Sequence, residues 1–176
     1  MTAVIGALRE KLSEFDGKAT TFLGEAEAAF SARQGYMDAL IALLSDRQGH
    51  LASGASWLLK SQAERGGDLT PNQVNALVQR LPQIEDWSTQ LHICQAIGLL
   101  GRLDEVSGDA VGDLAEWLTA LLDHDRAFLR AWSLDALGAL AKLHAEHATV
   151  FNVALDTAQG DDAASVRARA RHLLPL

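Results

Sequence analysis

The side chains with the greatest chemical capability lie in the second half of this 176-residue chain. Asp123-His124-Asp125 places a histidine between two carboxylates, a combination used in general acid–base catalysis. The spacing assigns no Ser or Cys nucleophile to this cluster, and an aspartate in a turn is well suited to cap a helix. We therefore predict a structural role for these residues and no catalytic residue among them.

A second cluster, His144-Ala145-Glu146-His147, holds two histidines three residues apart. Residues at this spacing share one face of a helix, and two imidazoles can begin a metal site. A stable site needs further ligands, which the sequence does not place nearby, and a histidine at a helix end interacts favourably with the helix dipole. The sequence predicts no metal ion and no other cofactor.

Trp132 and Asp135, close to Arg130, combine an aromatic ring, a carboxylate and a cation. Stacking rings and a carboxylate suit the extrusion or excision of a modified base. However, 15 Lys and Arg residues against 23 Asp and Glu residues give a formal net charge of -8. A chain with this charge is repelled by phosphate backbones, so we expect a protein partner rather than nucleic acid.

The remaining residues of interest are tryptophans and one cysteine. Trp57 and Trp117 align with apolar positions of an internal repeat, so we predict that both lie in the core, whereas Trp87, at a helix start, is expected to be partly exposed. Cys94 is the single cysteine, which excludes an intramolecular disulfide and predicts a buried apolar side chain.

The N-terminus lacks the pattern of a signal peptide, and no apolar run is long enough to span a membrane, so we expect a cytoplasmic protein.

The elements that must position these residues are helices, because Leu and Ala recur at spacings of three and four and strand signals are almost absent. Thr70-Pro71-Asn72-Gln73 has the pattern of a capping box, and Gly66-Gly67 can end the preceding helix. Further N-caps are expected at Asp86, Ser107, Asp125 and Asp162, and helix ends at Gly160 and Pro175. The predicted helices are residues 3–15, 19–33, 36–45, 48–65, 71–84, 87–103, 108–123, 127–143, 147–158 and 163–174.

The chain also repeats itself. A shift of 40 residues superposes residues 94–103 on residues 134–143, with Gly98 on Gly138 and Arg102 on Lys142. A helix pair cannot bury its apolar stripe alone, so equivalent pairs stack to make a continuous core. The repeat therefore predicts consecutive antiparallel helix pairs.

Residues 121–138 and 161–174 resemble the turn and second helix of HEAT repeats. That family places an acidic residue in the turn and an arginine about five residues later. Asp125 with Arg130 and Asp162 with Arg167 match this pattern, and the resemblance implies that they form a hydrogen-bonded ladder between adjacent repeats.

The earlier turns depart from the HEAT pattern, because they carry Glu85 with Gln90 and Ser45 with His50. The resemblance implies an all-α fold, an α/α superhelix (a HEAT/armadillo-like solenoid) of about four antiparallel helix pairs. These pairs would lie near residues 36–66, 70–104, 107–144 and 147–175. Residues 1–34 would form an N-terminal helical cap and residues 35–176 the repeats, within a single domain.

The function that this resemblance implies is a non-catalytic protein-interaction or scaffold module, which binds a partner on the concave face formed by the second helices. Two alternatives from the same group of folds are a HEAT-like DNA glycosylase, which would use Trp132 and Asp135, and a lyase or delivery protein for a prosthetic group, as in the bilin lyases. The sequence leaves the oligomeric state open. The candidate partner-binding residues are His50, Ser53, Ser88, His92, Gln95, Arg102, Arg130, Asp135 and Lys142.

Overall fold

The computed structural model describes residues 2–106 and 108–174. These residues form ten α-helices and four short 3₁₀ turns, without a β-strand among them, so the predicted all-α class is confirmed. The helices are α1 (Thr2–Ser13), α2 (Thr20–Phe30), α3 (Tyr36–Leu43), α4 (Leu51–Glu64), α5 (Pro71–Val78), α6 (Trp87–Ile97), α7 (Gly108–Ala120), α8 (Ala127–Leu143), α9 (Ala148–Gln159) and α10 (Ala164–Leu173).

Several helices end earlier than predicted because a 3₁₀ turn takes up the apolar residues at the end of the predicted span. Such turns follow α5 at Leu81–Gln83 and α7 at Leu121–Asp123, and α6 ends at Ile97, separated by five residues from a 3₁₀ turn at Leu103–Glu105. The first leucine of each turn is buried. The apolar spacing therefore continues past the end of the α-helix, which is why the sequence pattern overestimates the length of these helices.

The helix signals at residues 66–73 are confirmed. Gly66 adopts φ 80°, and the amide of Gly67 donates to the carbonyl of Gln62 at 2.8 Å, which closes α4. At the start of α5, the hydroxyl of Thr70 accepts from the amide of Gln73, and the Gln73 side chain accepts from the amide of Thr70. Asp86 likewise caps α6 by accepting from the amide of Thr89 at 2.8 Å.

The expected caps at Asp125 and Asp162 are wrong. α8 begins at Ala127 as predicted and α10 at Ala164, one residue later than predicted, so the capping positions are Arg126 and Ala163, and neither supplies a side-chain cap. The carboxylate of Asp161, one residue earlier than predicted, accepts from the amide of Ala163 at 2.8 Å. α9 ends at Gly160 as expected, and the cap at Ser107 and the helix end at Pro175 lie outside the described residues.

The helices pack in two series. α4, α6, α8 and α10 contact one another in sequence and make the most extensive contacts of the fold, while α1, α3, α5 and α7 form a second series. One hydrophobic cluster runs from Leu8 in α1 to Leu140 in α8, and a smaller cluster lies beneath α9 and α10. None of the helices in the described segments combines the length and apolar character that crossing a membrane requires.

The N-terminal hairpin shares this core, because α1 packs against α3 and α2 against α4. A buried carboxylate strengthens the second contact. Glu27 of α2 is only 2% exposed and accepts from the side chains of Gln62 at 2.6 Å, Arg65 at 2.7 Å and Ser61 at 3.3 Å, all on or just after α4. A buried carboxylate is tolerated when it is paired and hydrogen-bonded in this way.

Candidate functional site

Each helix of the α4–α6–α8–α10 series buries one side and keeps a stripe of side chains at least partly exposed. The stripes follow spacings of three and four, so each lies along a single helix face. We call the surface formed by these stripes the even-helix face. It consists of Ser53, Trp57, Lys60 and Glu64 on α4, Trp87, Ser88, Leu91, His92 and Gln95 on α6 with Leu99 just after it, Phe128, Trp132, Asp135 and Lys142 on α8, and Ala168, Arg169 and His172 on α10.

Neighbouring stripes are joined by polar contacts between helices. The Ser88 hydroxyl donates to the carboxylate of Asp86 at 2.6 Å, and its oxygen lies 3.1 Å from the Ser53 hydroxyl, which joins α6 to α4. Arg169 donates to the carboxylate of Asp135 at 3.1 Å, which joins α10 to α8. The structure therefore brings several of the candidate partner-binding residues together, and three of them, Ser53, Ser88 and Asp135, contact one another or a neighbour on this face.

Ser56 and His92 form a contact that resembles a catalytic pair but has another role. Their Oγ and Nδ1 atoms lie 3.0 Å apart, and the Ser56 hydroxyl donates to the carbonyl of Ser53 at 2.9 Å. Ser56 is fully buried, so no substrate can reach its hydroxyl. Burial, with a smaller effect from the nearby Lys60, lowers the pKa of His92 to about 4. A neutral imidazole can donate its Nδ1 proton to Ser56, so the pair stabilises the packing of α6 on α4.

Three tryptophan rings of the even-helix face each make a cation–π contact with a basic side chain. The guanidinium of Arg169 lies 4.0 Å from the ring centre of Trp132, and that of Arg126 lies 4.1 Å from Trp87. The ammonium of Lys60 lies 5.9 Å from Trp57. Such contacts hold the cation and the ring in a fixed relative position.

Two of the predictions for tryptophan need correction. Trp57 and Trp117 are only partly buried, and they pack against the hydrophobic core from its edge. Trp is a large residue that is rarely buried completely, and part of each ring stays in contact with solvent. Trp87 is 37% exposed and Cys94 is fully buried, as predicted.

Asp135 lies where α8 passes close to α6. A Cβ atom added to Gly98 would lie 3.3 Å from Asp135 Oδ2, so the glycine provides room for the carboxylate. Arg169 neutralises this carboxylate and at the same time stacks on Trp132. The three side chains therefore form one cluster, in which the charges are already paired.

Arg130 forms the ladder contact between turns. Its Nη1 donates to the backbone carbonyls of His124 at 2.9 Å and Asp125 at 3.3 Å. Its Nε and Nη2 donate to both carboxylate oxygens of Asp161, and Nη2 also donates to Asp162 at 2.8 Å. These bonds use all five N–H groups of the guanidinium. Arg130 is a candidate both for the ladder and for partner binding, and in the structure all of its hydrogen-bond donors are used in the ladder.

The acidic partner in this ladder differs from the expected one. The Asp125 side chain contributes no cap, and only its carbonyl accepts from Arg130. The guanidinium lowers the pKa of Asp161 to about 2, because it donates two hydrogen bonds to this carboxylate. Arg167 repeats the bonds to backbone, donating to the carbonyls of Asp161 at 2.6 Å and Asp162 at 2.8 Å.

The earlier turns keep only part of this arrangement. Gln90 donates to the carbonyl of Ile84 at 2.9 Å, the same separation of six residues as Arg130 to His124. Glutamine has no charged guanidinium, so it cannot also form a bidentate ion pair with a carboxylate in the next turn. His50 packs edge-on against Phe15 and stays exposed.

Two of the histidines that the sequence singled out make contacts with the backbone. His124 Nδ1 accepts from the amide of Arg126 at 3.0 Å, which holds the turn before α8. His144 Nε2 contacts the carbonyl of Leu103 at 2.8 Å. Within the described ranges, no group of three or more His, Cys, Asp or Glu residues is arranged to hold a metal ion.

Two further candidate partner-binding residues are Arg102 and Lys142. Arg102 pairs with Glu105 at 2.6 Å, and Lys142 is exposed at the end of α8.

Replacing Arg130 with lysine tests the ladder. Lysine cannot donate bidentately to Asp161 while bonding two carbonyls, so we expect the free energy of unfolding at pH 7 to fall by about 1–3 kcal/mol. The depressed pKa of Asp161 implies a contribution that is present above its unfolded pKa and lost as pH falls toward 2. Urea unfolding of R130K and wild type should therefore converge at low pH. The exposed Arg171, changed to lysine, is the matched control, and an equal loss in both variants would refute the ladder.

Replacing His92 with glutamine tests the buried imidazole. The pKa of His92 is lowered from 6.5 to about 4, so the unfolded chain binds the proton more readily between these values. Wild-type stability should therefore be complete above pH 6.5 and decrease by up to about 3 kcal/mol as pH falls to 4. H92Q should lack this part of the pH dependence in denaturant unfolding. The exposed His172, changed to glutamine, should retain it; parallel curves for wild type and H92Q would contradict the assignment.

No known protein-family model matches this chain, and no curated protein matches it either. A function therefore has to be proposed from the even-helix face and the contacts that support it.

Proposed function

We propose that this chain is a HEAT-like protein-interaction module, an α/α solenoid that binds a partner protein on the even-helix face. Support for the solenoid comes from the two series of helices that contact one another in sequence. The ladder from Arg130 to the next turn supports it as well. Solenoids of this kind present an extended surface built from the exposed stripes of their inner helices.

The observation that carries this proposal is the composition of the even-helix face. Trp57, Trp87 and Trp132 are partly exposed, each beside a cation, and Phe128 and Leu99 are 57% and 51% exposed. Trp and Arg are the residues most enriched among those that dominate protein–protein binding energy. Rings that are already held in position by a cation lose little conformational freedom when a partner covers them.

The charges of this face also favour a protein partner. Lys60 pairs with Glu64 at 2.8 Å, and Arg169 pairs with Asp135. A surface with paired charges of both signs matches the mixed polar rim of protein interfaces. It does not provide the unpaired basic stripe that attracts phosphate backbones.

One observation favours a second candidate, an enzyme that acts on a base in DNA. Trp132, Asp135 and Arg169 lie together on the even-helix face and supply a stacking ring, a carboxylate and a cation. This candidate ranks second because Arg169 and Asp135 neutralise each other and the chain carries a net charge of -8.

Site-specific photo-crosslinking in cells tests the protein-interaction proposal. A photoreactive residue placed at Phe128 or Leu99 should give the same discrete crosslinked partner, because both positions are exposed on the even-helix face. Arg169→Ala, which removes the cation from Trp132, should lower the yield of this adduct by roughly tenfold. The exposed Glu10 of α1 is the control position. An equal adduct from Glu10, or none from Phe128 and Leu99, would overturn the proposal.

Retention on immobilised DNA tests the second candidate. Phosphate contacts are strongest at low salt, so a DNA-acting enzyme should be retained at about 50 mM salt and released as salt rises. We expect the chain to pass through unretained because of its charge of -8. Retention that is lost in a W132A/D135N variant with unchanged helix content would instead favour the enzyme.

A further inference from the structure

The series α1, α3, α5 and α7 does not continue into α9. Each of the first four helices packs beside the next, whereas α9 makes its main contacts with α8 and α10. Phe151 of α9 explains this position, because its ring fills the space where Gly138 of α8 lacks a side chain. A Cβ atom at Gly138 would lie only 2.8 Å from the Phe151 ring. This close contact holds α9 against α8 and leaves an opening beside α7.

The opening is a groove between α7 and α9. A cavity of about 390 Å³ is lined by Leu122, Leu134 and Val153, and a neighbouring cavity of about 450 Å³ by Gly112 and Ala115. Thr119 of α7 and Val150 of α9 line both cavities, so the two form one continuous channel. We call it the α7–α9 groove.

The walls of the α7–α9 groove are apolar. Val150 and Val153 of α9 are 41% and 64% exposed and both line the first cavity. The hydroxyls of Thr119 and Thr157 donate to carbonyls of their own helices, at 2.7 Å and 3.0 Å. These threonines therefore need no further partner for their protons, and the groove favours an apolar occupant.

The margins of the groove are acidic. Glu116 of α7 lines the second cavity, as does His147 directly before α9. Helix spacing places Asp109 and Asp113 beside Glu116, and Asp156 beside Val153, and neither helix contains a Lys, Arg or His residue. Asp123 lines the end of the groove nearest α8. Arg130 also reaches this end, but its five N–H groups are all bonded within the ladder. An occupant with positive charge on both sides of an apolar stripe complements this arrangement.

We propose that the α7–α9 groove binds a basic amphipathic helix of another protein. A helix in a groove places apolar residues at spacings of three, four and seven against the wall, with its Lys and Arg residues at the margins. α9 has 12 residues, so the groove accommodates about 18 Å, or three helical turns, of the partner.

A second copy of the chain provides no suitable helix within the described residues. α10 is the basic helix, but its apolar residues Val166 and Ala170 are buried in the chain's own core. Acidic margins also disfavour an anionic membrane surface. A cationic helix from a different protein is therefore the occupant that the charges select.

The experiment uses a 14-residue helical peptide of Leu and Lys, with leucines on one face, and measures its binding to the full chain by fluorescence anisotropy. The comparison peptides are a scrambled sequence of the same composition and a Leu/Glu peptide. We expect the Leu/Lys helix to bind, the other two to bind at least roughly tenfold more weakly, and affinity to fall with salt.

Two sets of variants locate the binding. V150S/V153S and E116Q/D156N change exposed residues on the groove, and each should weaken binding by roughly tenfold while thermal unfolding is unchanged. Leu143→Ser and Asp104→Asn are matched controls at exposed positions that line neither cavity, and they should bind as wild type does.

Four results would overturn the proposal. The first is equal binding of the scrambled peptide, and the second is equal loss of affinity in groove and control variants. The third is self-association of the chain that V150S/V153S abolishes, which would assign the groove to a second copy. The fourth is binding to anionic vesicles that depends on Val153, which would assign it to a membrane surface.

Discussion

The close contact between successive even-numbered helices is the constraint on which the rest of the molecule depends. Each of these helices buries small residues: Ala55 and Ser56 on α4, Ala96 on α6, Ala136 on α8 and Ala170 on α10. Small side chains let helix backbones approach closely, so the larger apolar residues of each helix are directed into the core. The side chains on the remaining surface of each helix then form one shared face.

The same contact sets the geometry of the turns. When α8 and α10 lie side by side, the turn before α10 comes within reach of a guanidinium at the start of α8, and Arg130 bonds Asp161 and Asp162. The interhelical contacts of Ser53 with Ser88 and of Asp135 with Arg169 depend on the same spacing. The polar contacts therefore secure an arrangement that apolar packing has already defined, as the marginal net value of individual hydrogen bonds would suggest.

Much of the fold was predictable from the sequence because helix periodicity and capping act locally. Thr70 and Asp86 find their partners within three residues, so their types and spacing suffice. The ladder was only partly predictable, since the spacing of five residues identifies Arg130 but not which acidic residue of the following turn it reaches. The carboxylate that it reaches lies 31 residues away, in another turn. Local pattern does not determine a contact at that distance.

The α7–α9 groove could not be predicted for a related reason. Internal repetition treats every helix pair as equivalent, and on that basis α9 should lie beside α7 as α7 lies beside α5. The final pair departs from the period: Asp125 and Asp162 are 37 residues apart, against 40 between Glu85 and Asp125.

One contact of the final pair, Phe151 in the space above Gly138, holds α9 against α8. Gly98 occupies the equivalent position one repeat earlier, yet there the nearest side-chain atom is an oxygen of Asp135. Two glycines at matching positions thus have different consequences, because each takes its role from the side chain that the neighbouring helix presents. An irregularity of this kind is where a repeat protein gains a surface that its other repeats lack, since a regular stack would have filled the groove with its own helix.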